Sequence, residues 1–207
     1  MVLNDYSDLN EIQIDVLKEI GNIGAGNAAT SLAIMLDRPI SISVPTIRIL
    51  DYNETALALG GPENMIVGIL LSFSGDISGM LMFLLQLDFA HMTLNALLGQ
   101  KFTSFNDIGD MGNSALKELA NIMTSSYINA ISKMTNLRIS ISVPDMAIDM
   151  AGAILSVPAI HYANISDKII LIEDQFFSDH EAATSQILMI PDIDSLAKIM
   201  TSLGIAL

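Results

Sequence analysis

The sequence predicts a mixed helix-and-strand fold built twice over, and three observations predict it. Residues 15–50 repeat at residues 114–149, with 13 of 36 aligned positions identical, where unrelated segments of ordinary composition share about two. Each copy opens on a long stretch with apolar residues at helical spacing and closes on the alternating run Ile-Ser-Ile-Ser-Val-Pro, at Ile40–Pro45 and Ile139–Pro144. Behind the first copy, two apolar runs of strand length, Met65–Phe73 and Met80–Gln86, flank Ser74-Gly-Asp-Ile-Ser-Gly79 and read as a hairpin.

The elements follow in order. Asp8 is a candidate N-cap with Glu11 as its capping-box partner. From Leu9 to about Leu36, Ile12, Val16, Leu17, Ile20 and Ile23 recur every three or four residues, as on an amphipathic helix, and Asp37-Arg-Pro39 ends it. Ile40–Val44 alternates as a half-buried strand. Leu87-Asp88 opens a helix that runs to Leu98 and is closed by Gly99. Gln100–Asn106 joins the halves and is too short to tether two separate bodies, so one domain over residues 1–207 is expected, built from repeats at about 8–105 and 106–207. In the second half Ile108 to about Met134 is helical and Ile139–Val143 is a strand. Ala151–Ala159, Lys168–Glu173 and Gln186–Ile190 are further strands, Asp174–Thr184 a polar loop, and Pro191-Asp192 opens a last helix closed by Gly204.

Composition narrows the function classes. Apolar residues make up 51% of the 207, and the 13 methionines stand in for a low aromatic share of 5% as core filler. No apolar run reaches the 18 or so residues of a membrane span, and no secretory leader opens the chain, so a cytoplasmic protein is expected. Without cysteine there are no disulfides and no thiolate metal sites. A net charge of −14, with nine basic residues, argues against nucleic acid and anionic membranes as partners. The acidic residues match no EF-hand or zinc spacing, so no intrinsic metal or cofactor is expected.

The polar residues that survive in both copies are the candidate site. Asp15-x3-Glu19-x2-Asn22 is separated from Pro45 by 22 residues, and Ser114-x3-Glu118-x2-Asn121 from Pro144 by the same 22. At about 100° per residue each set lies on one helix stripe. Glu and Asn persist while neighbours diverged, as at Gly26/Ser125 and Ala28/Tyr127. The pair holds no nucleophile and no His base, and His91, His161 and His180 are scattered. A carboxamide accepts and donates hydrogen bonds at once, so it can orient water without changing charge. A Glu can pair with a partner's Lys or Arg. Such a pair suits insertion into another protein's active site. The Gly-rich Gly21-Asn-Ile-Gly-Ala-Gly-Asn27 sits in a helical pattern, follows no strand and lacks the Lys of a phosphate loop; it reads as a helix face open to close approach. Pro45 and Pro144 read as strand-ending structural residues, and Asp76 as a turn residue.

The doubled [DS]-x3-E-x2-N-x22-P pattern resembles that of the CheC/CheX/FliY family of chemotaxis phosphatases, with Lys18–Thr30 similar to the first motif of the CheC branch and Leu116–Met123 to the second. The likeness extends through Gly75–Gly79 and Met189–Pro191. Both Glu/Asn pairs are present, unlike the single usable motif of CheX-like members, and no flagellar-switch domain of the FliY kind is expected after Leu207. The resemblance implies an α+β fold with internal pseudo-twofold symmetry, two long motif-bearing helices packed on a mainly antiparallel sheet. It implies a hydrolase acting on the aspartyl-phosphate of CheY-P, with Mg²⁺ belonging to CheY. Asn22 and Asn121 would orient the attacking water, Glu19 and Glu118 would dock on CheY, and Asp15, Ser114, Pro45 and Pro144 would support them. It also implies CheD, a receptor deamidase, as a second partner, with a non-catalytic adaptor of CheD and CheY-P as the alternative reading; the exposed-looking stretch Pro144–Ala153 is the candidate CheD surface. Internal symmetry makes a monomer sufficient.

Overall fold

Each half of the chain runs through one series of elements. A 3-10 turn (Tyr6–Asp8) leads into α1 (Glu11–Leu36), β1 (Ser41–Ile42), β2 (Thr46–Asp51), α2 (Tyr52–Ala58), the hairpin of β3 (Met65–Gly75) and β4 (Gly79–Leu85), and α3 (Leu87–Leu98). A second turn (Phe105–Asp107) leads into α4 (Asp110–Thr135), β5 (Ile139–Ile141), β6 (Asp145–Met150), α5 (Ala151–His161), the hairpin of β7 (Lys168–Ser178) and β8 (Glu181–Pro191), and α6 (Ile193–Ser202). Both turns, both 26-residue helices and the pair β2/β6 begin and end 99 positions apart. The computed structural model describes all residues except 1, 2, 4, 100, 101, 164, 165, 179, 180 and 207; the first two residues of the expected joining segment and His180 thus lie outside the described residues.

The start of α1 differs from the sequence expectation by two residues. The Asp8 carboxylate accepts from the Asp5 N–H at 3.1 Å and closes the 3-10 turn instead of capping the helix. Asn10 is the true N-cap: its side chain accepts from the Gln13 N–H (3.0 Å) while Gln13 accepts from the Asn10 N–H (2.9 Å). Asp37 and Asn136, both left-handed at φ 50° and 59°, end the two long helices at equivalent points.

All strand pairings are antiparallel, and the eight-stranded sheet runs β1-β7-β8-β4-β3-β5, with β2 on β7 and β6 on β3. Exchanging β1 with β5, β2 with β6, β3 with β7 and β4 with β8 reverses this order onto itself. The pseudo-twofold therefore passes between β4 and β8. Each half also hands its edge strand across: β2 of the first half lies on β7 of the second, and β6 of the second on β3 of the first.

Register sorts the two faces. Ile47, Ile172, Ile187, Phe83 and Ile69 are successive cross-strand partners, so they share one face. A Cβ placed on Gly21 of α1 would lie 3.3 Å from Ile47 and 3.9 Å from Ile172, and Asp174, two residues along β7, bonds Tyr127 of α4, so both long helices cover this face. The other face carries Gly68, against which Ile154 of α5 packs so closely that a Cβ would sit 2.6 Å from its Cγ2. No helix among the described residues is long and apolar enough to cross a membrane.

Four further expectations need correction. Residues 151–159 are helical, not a strand: Ala151, Ile154, Leu155 and Pro158 are buried at helical spacing, and the segment is the counterpart of α2, which also went unread. Most of Asp174–Thr184 is paired strand, with Asp174 opposite Ser185 and Gln175 opposite Thr184; its polar side chains masked a period of two. Pro45 and Pro144 do not end strands. Each stands immediately before one, β2 or β6, and the Ile-Ser-Ile-Ser-Val runs pair only at Ser41–Ile42 and Ile139–Ile141. Asp76 is more than a turn residue: it accepts from the Arg138 N–H (2.8 Å), which holds its carboxyl below the usual range, and it faces Lys198 at 3.7 Å.

The Gly-rich stretch of α1 is a packing device. A Cβ on Gly24 would come within 2.6 Å of the Tyr127 ring, so the missing side chain admits that ring between the long helices. The second half needs no matching glycine, because the residue equivalent to Tyr127 is Ala28. Tyr127 in turn donates to Asp174 at 2.5 Å. Asp174 is fully buried, its Oδ1 has no protein partner, and desolvation pushes its pKa up to about 6. A carboxyl whose folded pKa is raised binds its proton more tightly when folded, so stability falls as pH rises from about 4 to about 6 and is then flat in this group's contribution. At about 1.36 kcal/mol per unit the contribution is on the order of 3 kcal/mol. Asp174→Asn is expected to be more stable than wild type in urea at pH 7.5 and to lose that advantage at pH 4; equal differences at both pH values would refute it.

Candidate functional site

The apolar stripes that α1 and α4 bury fix the face that each presents outward. On α1 the buried stripe is Leu17, Ile20, Gly21, Gly24 and Ala28, which leaves Asp15, Glu19 and Asn22 exposed on the opposite stripe. On α4 the buried Leu116, Leu119, Ala120 and Met123 turn Ser114 and Glu118 fully outward and leave Asn121 half-buried.

The second set is gathered in a groove. Ser114, Lys117, Glu118 and Asn121 form one wall, and Ile141, Ser142, Val143 and Pro144 the other, around an open volume of about 460 Å³. In the first set Pro45 is buried, its ring 3.7 Å from where a Cβ of Gly21 would be, which seats the β1–β2 connection beside Asn22. The prolines thus join the motif in space. A residue with no N–H carries the chain past the helix without leaving a buried donor unpaired. Of this groove wall the sequence points to Pro144 but not to Ile141, Ser142 or Val143 as site residues; the identity of both Ile-Ser-Ile-Ser-Val runs is the available signal, and it reads equally as a strand.

The side chains at the heart of each set are uncommitted. Among the described residues, the carboxylates of Glu19 and Glu118 and the carboxamides of Asn22 and Asn121 make no hydrogen bond or ion pair within the chain; only the backbone carbonyl of Asn121 is used, accepting from Ser125. The first motif position is committed in both copies. Asp15 pairs with Lys18 at 2.8 Å, whereas Ser114 donates back to the Asp110 carbonyl at 2.9 Å and leaves Lys117 without an ion pair. The copies therefore differ in local charge. Asp15, Lys18 and Glu19 sum to −1, and Ser114, Lys117 and Glu118 to zero. Among the described residues no three His, Asp or Glu side chains converge as a metal site would need.

The CheC-like family model matches residues 12–49 and 111–148, the two copies of the motif. A CheY-P phosphatase CheC of Bacillus subtilis is 32% identical over 206 residues, covering 98% of this chain and 99% of that protein. The chain belongs to the CheC-like family. Flagellar motor switch phosphatase FliY of B. subtilis is 26% identical over 141 residues, 68% of this chain and 36% of FliY. Among solved structures, Thermotoga maritima FliY superposes with a TM-score of 0.76 at 20% identity, over 95% of this chain and 98% of that one. The middle domain of FliM from H. pylori superposes at 0.66 and 14% identity, over 94% and 99%. Both likenesses are of fold, and they match the expected α+β arrangement of a duplicated chain with long helices on an antiparallel sheet.

Proposed function

We infer that this CheC-like chain is a hydrolase that removes the phosphoryl group from the aspartyl-phosphate of a CheY-type response regulator. One observation carries the reading: two copies of a Glu/Asn pair, three residues apart on an outward helix stripe, with every polar atom of both side chains left free. Free polar groups on a rigid helix are what an active site completed by a partner requires, because the partner brings the electrophile. Mg²⁺ belongs to the phosphorylated regulator in this reading and no metal to this chain.

The roles follow from chemistry. Asn22 or Asn121 holds a water through its carboxamide oxygen, which accepts a hydrogen bond from one water O–H and so aligns the water's lone pair with the phosphorus. The water attacks in line, the P–O bond to the regulator's aspartate breaks, and inorganic phosphate and a free carboxylate result. Glu19 or Glu118 takes a cationic side chain of the regulator and sets the docking pose. No covalent intermediate forms on this chain, since the Ser114 hydroxyl donates to the Asp110 carbonyl and, among the described residues, meets no base that would activate it. The protein works as a cytoplasmic monomer, since each chain carries both sites. CheD is a further partner, for which the stretch 144–153 offers the exposed Met150. The test is phosphate release from a purified, Mg²⁺-loaded CheY-type regulator. Acceleration by wild type that vanishes in Asn22→Ala/Asn121→Ala supports the reading; binding without acceleration replaces it with the adaptor.

A further inference from the structure

Large apolar side chains stand exposed at matching positions of the two halves. Ile12 is 64% exposed and Met111, its counterpart 99 positions on, 68%; Val44 is 80% exposed and Val143 84%. Such exposure is unremarked when single residues are scattered over a surface. Here it recurs at two equivalent places, and chance does not favour that. The exposed Ile34 shows what an unconstrained position does, since its counterpart is Lys133.

Both matched pairs border the Glu/Asn site. Ile12, Asp15, Glu19 and Asn22 follow at steps of three, four and three, so Ile12 lies at the N-terminal end of the motif stripe, and Met111 stands likewise before Ser114, Glu118 and Asn121. Val143 lines the groove that holds Glu118 and Asn121. Val44 precedes Pro45, whose ring rests on α1 at Gly21. Each site is therefore a polar strip between two apolar posts, one on the first turn of the helix and one on the strand connection beside it. A polar strip between apolar contacts that exclude water is the build of a protein-docking surface.

We propose that Ile12 with Val44, and Met111 with Val143, are the apolar anchors that seat the phosphorylated receiver domain on the first and second sites, supplying the affinity that the exposed Glu/Asn pairs lack. The proposal rests on the response-regulator reading, from which it takes its occupant. Continuity decides that occupant: the anchors share the helix stripe and groove with the residues that must enter the receiver's active site, so whatever meets Asn121 also covers Val143. Exposed ion pairs bring little binding energy, whereas a large apolar side chain taken fully out of water brings far more. Positioning of water then falls to Asn, the docking pose to Glu, and the larger part of substrate retention to the anchors.

Being exposed, the anchors can be changed without disturbing the core. The experiment measures phosphate release against concentration of the Mg²⁺-loaded, phosphorylated receiver domain. It compares wild type, Ile12→Ser/Val44→Ser/Met111→Ser/Val143→Ser, and a control, Leu57→Ser/Ile160→Ser, exposed to a similar degree away from the motif stripes. The expected result is a KM raised at least tenfold in the quadruple variant, with kcat within twofold of wild type and the control unchanged. An unchanged KM in the quadruple variant, beside an active wild type, overturns the anchors and leaves the phosphatase reading intact. A fall in kcat alone also overturns them, because it assigns these residues to chemistry rather than seating. A wild type without activity on the receiver domain overturns both.

Discussion

Asn22→Ala/Asn121→Ala is expected to return the phosphorylated regulator to its own rate of hydrolysis, a loss on the order of 10²-fold or more in kcat, as when a positioned hydrogen-bonding group is removed from a reacting centre. KM should move little, since the carboxamides orient water and the substrate is held elsewhere. Asn→Asp at both positions keeps the shape and the acceptor but should fare no better, because it places a negative charge against the phosphoryl oxygens. Glu19→Gln/Glu118→Gln should show the converse, a raised KM with kcat nearly kept, because only the charge that meets the regulator is lost. The single Asn variants rank the sites. The second site is locally neutral with Lys117 unpaired, while the first carries −1 with Lys18 tied to Asp15 at 2.8 Å. One unit of charge at about 4 Å is worth about 1 kcal/mol in water, a several-fold effect. Asn121→Ala should therefore remove the larger share of activity. Equal losses, or a larger loss in Asn22→Ala, would show that local charge does not set the ranking.

Gly79→Ala is expected to give the largest loss of stability of any single methyl addition in the sheet. Gly79 has φ 157° and opens β4 where it meets β8, across the pseudo-twofold. A Cβ there would lie 2.6 Å from the Ile190 carbonyl oxygen, 2.6 Å from Pro191 Cα and 2.5 Å from the Phe73 ring. Two of those neighbours are backbone and cannot rotate away, so the strands must part. The cost should be at least about 3 kcal/mol, which lowers Tm by roughly 6–12 °C in a chain of this size. Gly26→Ala supplies the contrast. Nothing lies within 4 Å of its Cβ position on α1, so the same methyl should stabilise by up to about 1 kcal/mol through helix propensity. Thermal unfolding of the two variants beside wild type decides both; a Gly79→Ala protein within 1 °C of wild type would show that the β4–β8 approach is not tight.

The long helices, the β3–β4 hairpin and the closing helices were legible because each is local: a period, a cap and a glycine stop lie within a few residues of one another. The Glu/Asn pairs were legible for another reason. A duplicated chain is its own comparison, and identity at 99-residue spacing separates retained polar residues from those that merely face solvent. What was missed depends on distant partners. Residues 151–159 are apolar on all sides, so no period distinguished the α5 helix from a buried strand until Gly68 offered it a seat. Asp174 looked like a loop residue because the group that receives it in the core, the Tyr127 hydroxyl, lies 47 positions away in sequence. The prolines looked like strand ends, and only the packing of Pro45 on α1 shows that they carry the chain past the motif.

The exchange of edge strands has a consequence for synthesis. Thr46–Asp51 finds its partner in Lys168–Glu173, more than 110 residues later in the chain. At about 5–20 residues per second a ribosome needs roughly 6–25 s to deliver that partner. During this interval the emerging first half has its hairpin and three helices but no strand to pair with β2. The strand is suited to the wait: it is six residues long, and Thr46, Arg48 and Asp51 interrupt its three aliphatic side chains. Short length and interleaved charge discourage an orphan edge from pairing with a neighbouring nascent chain.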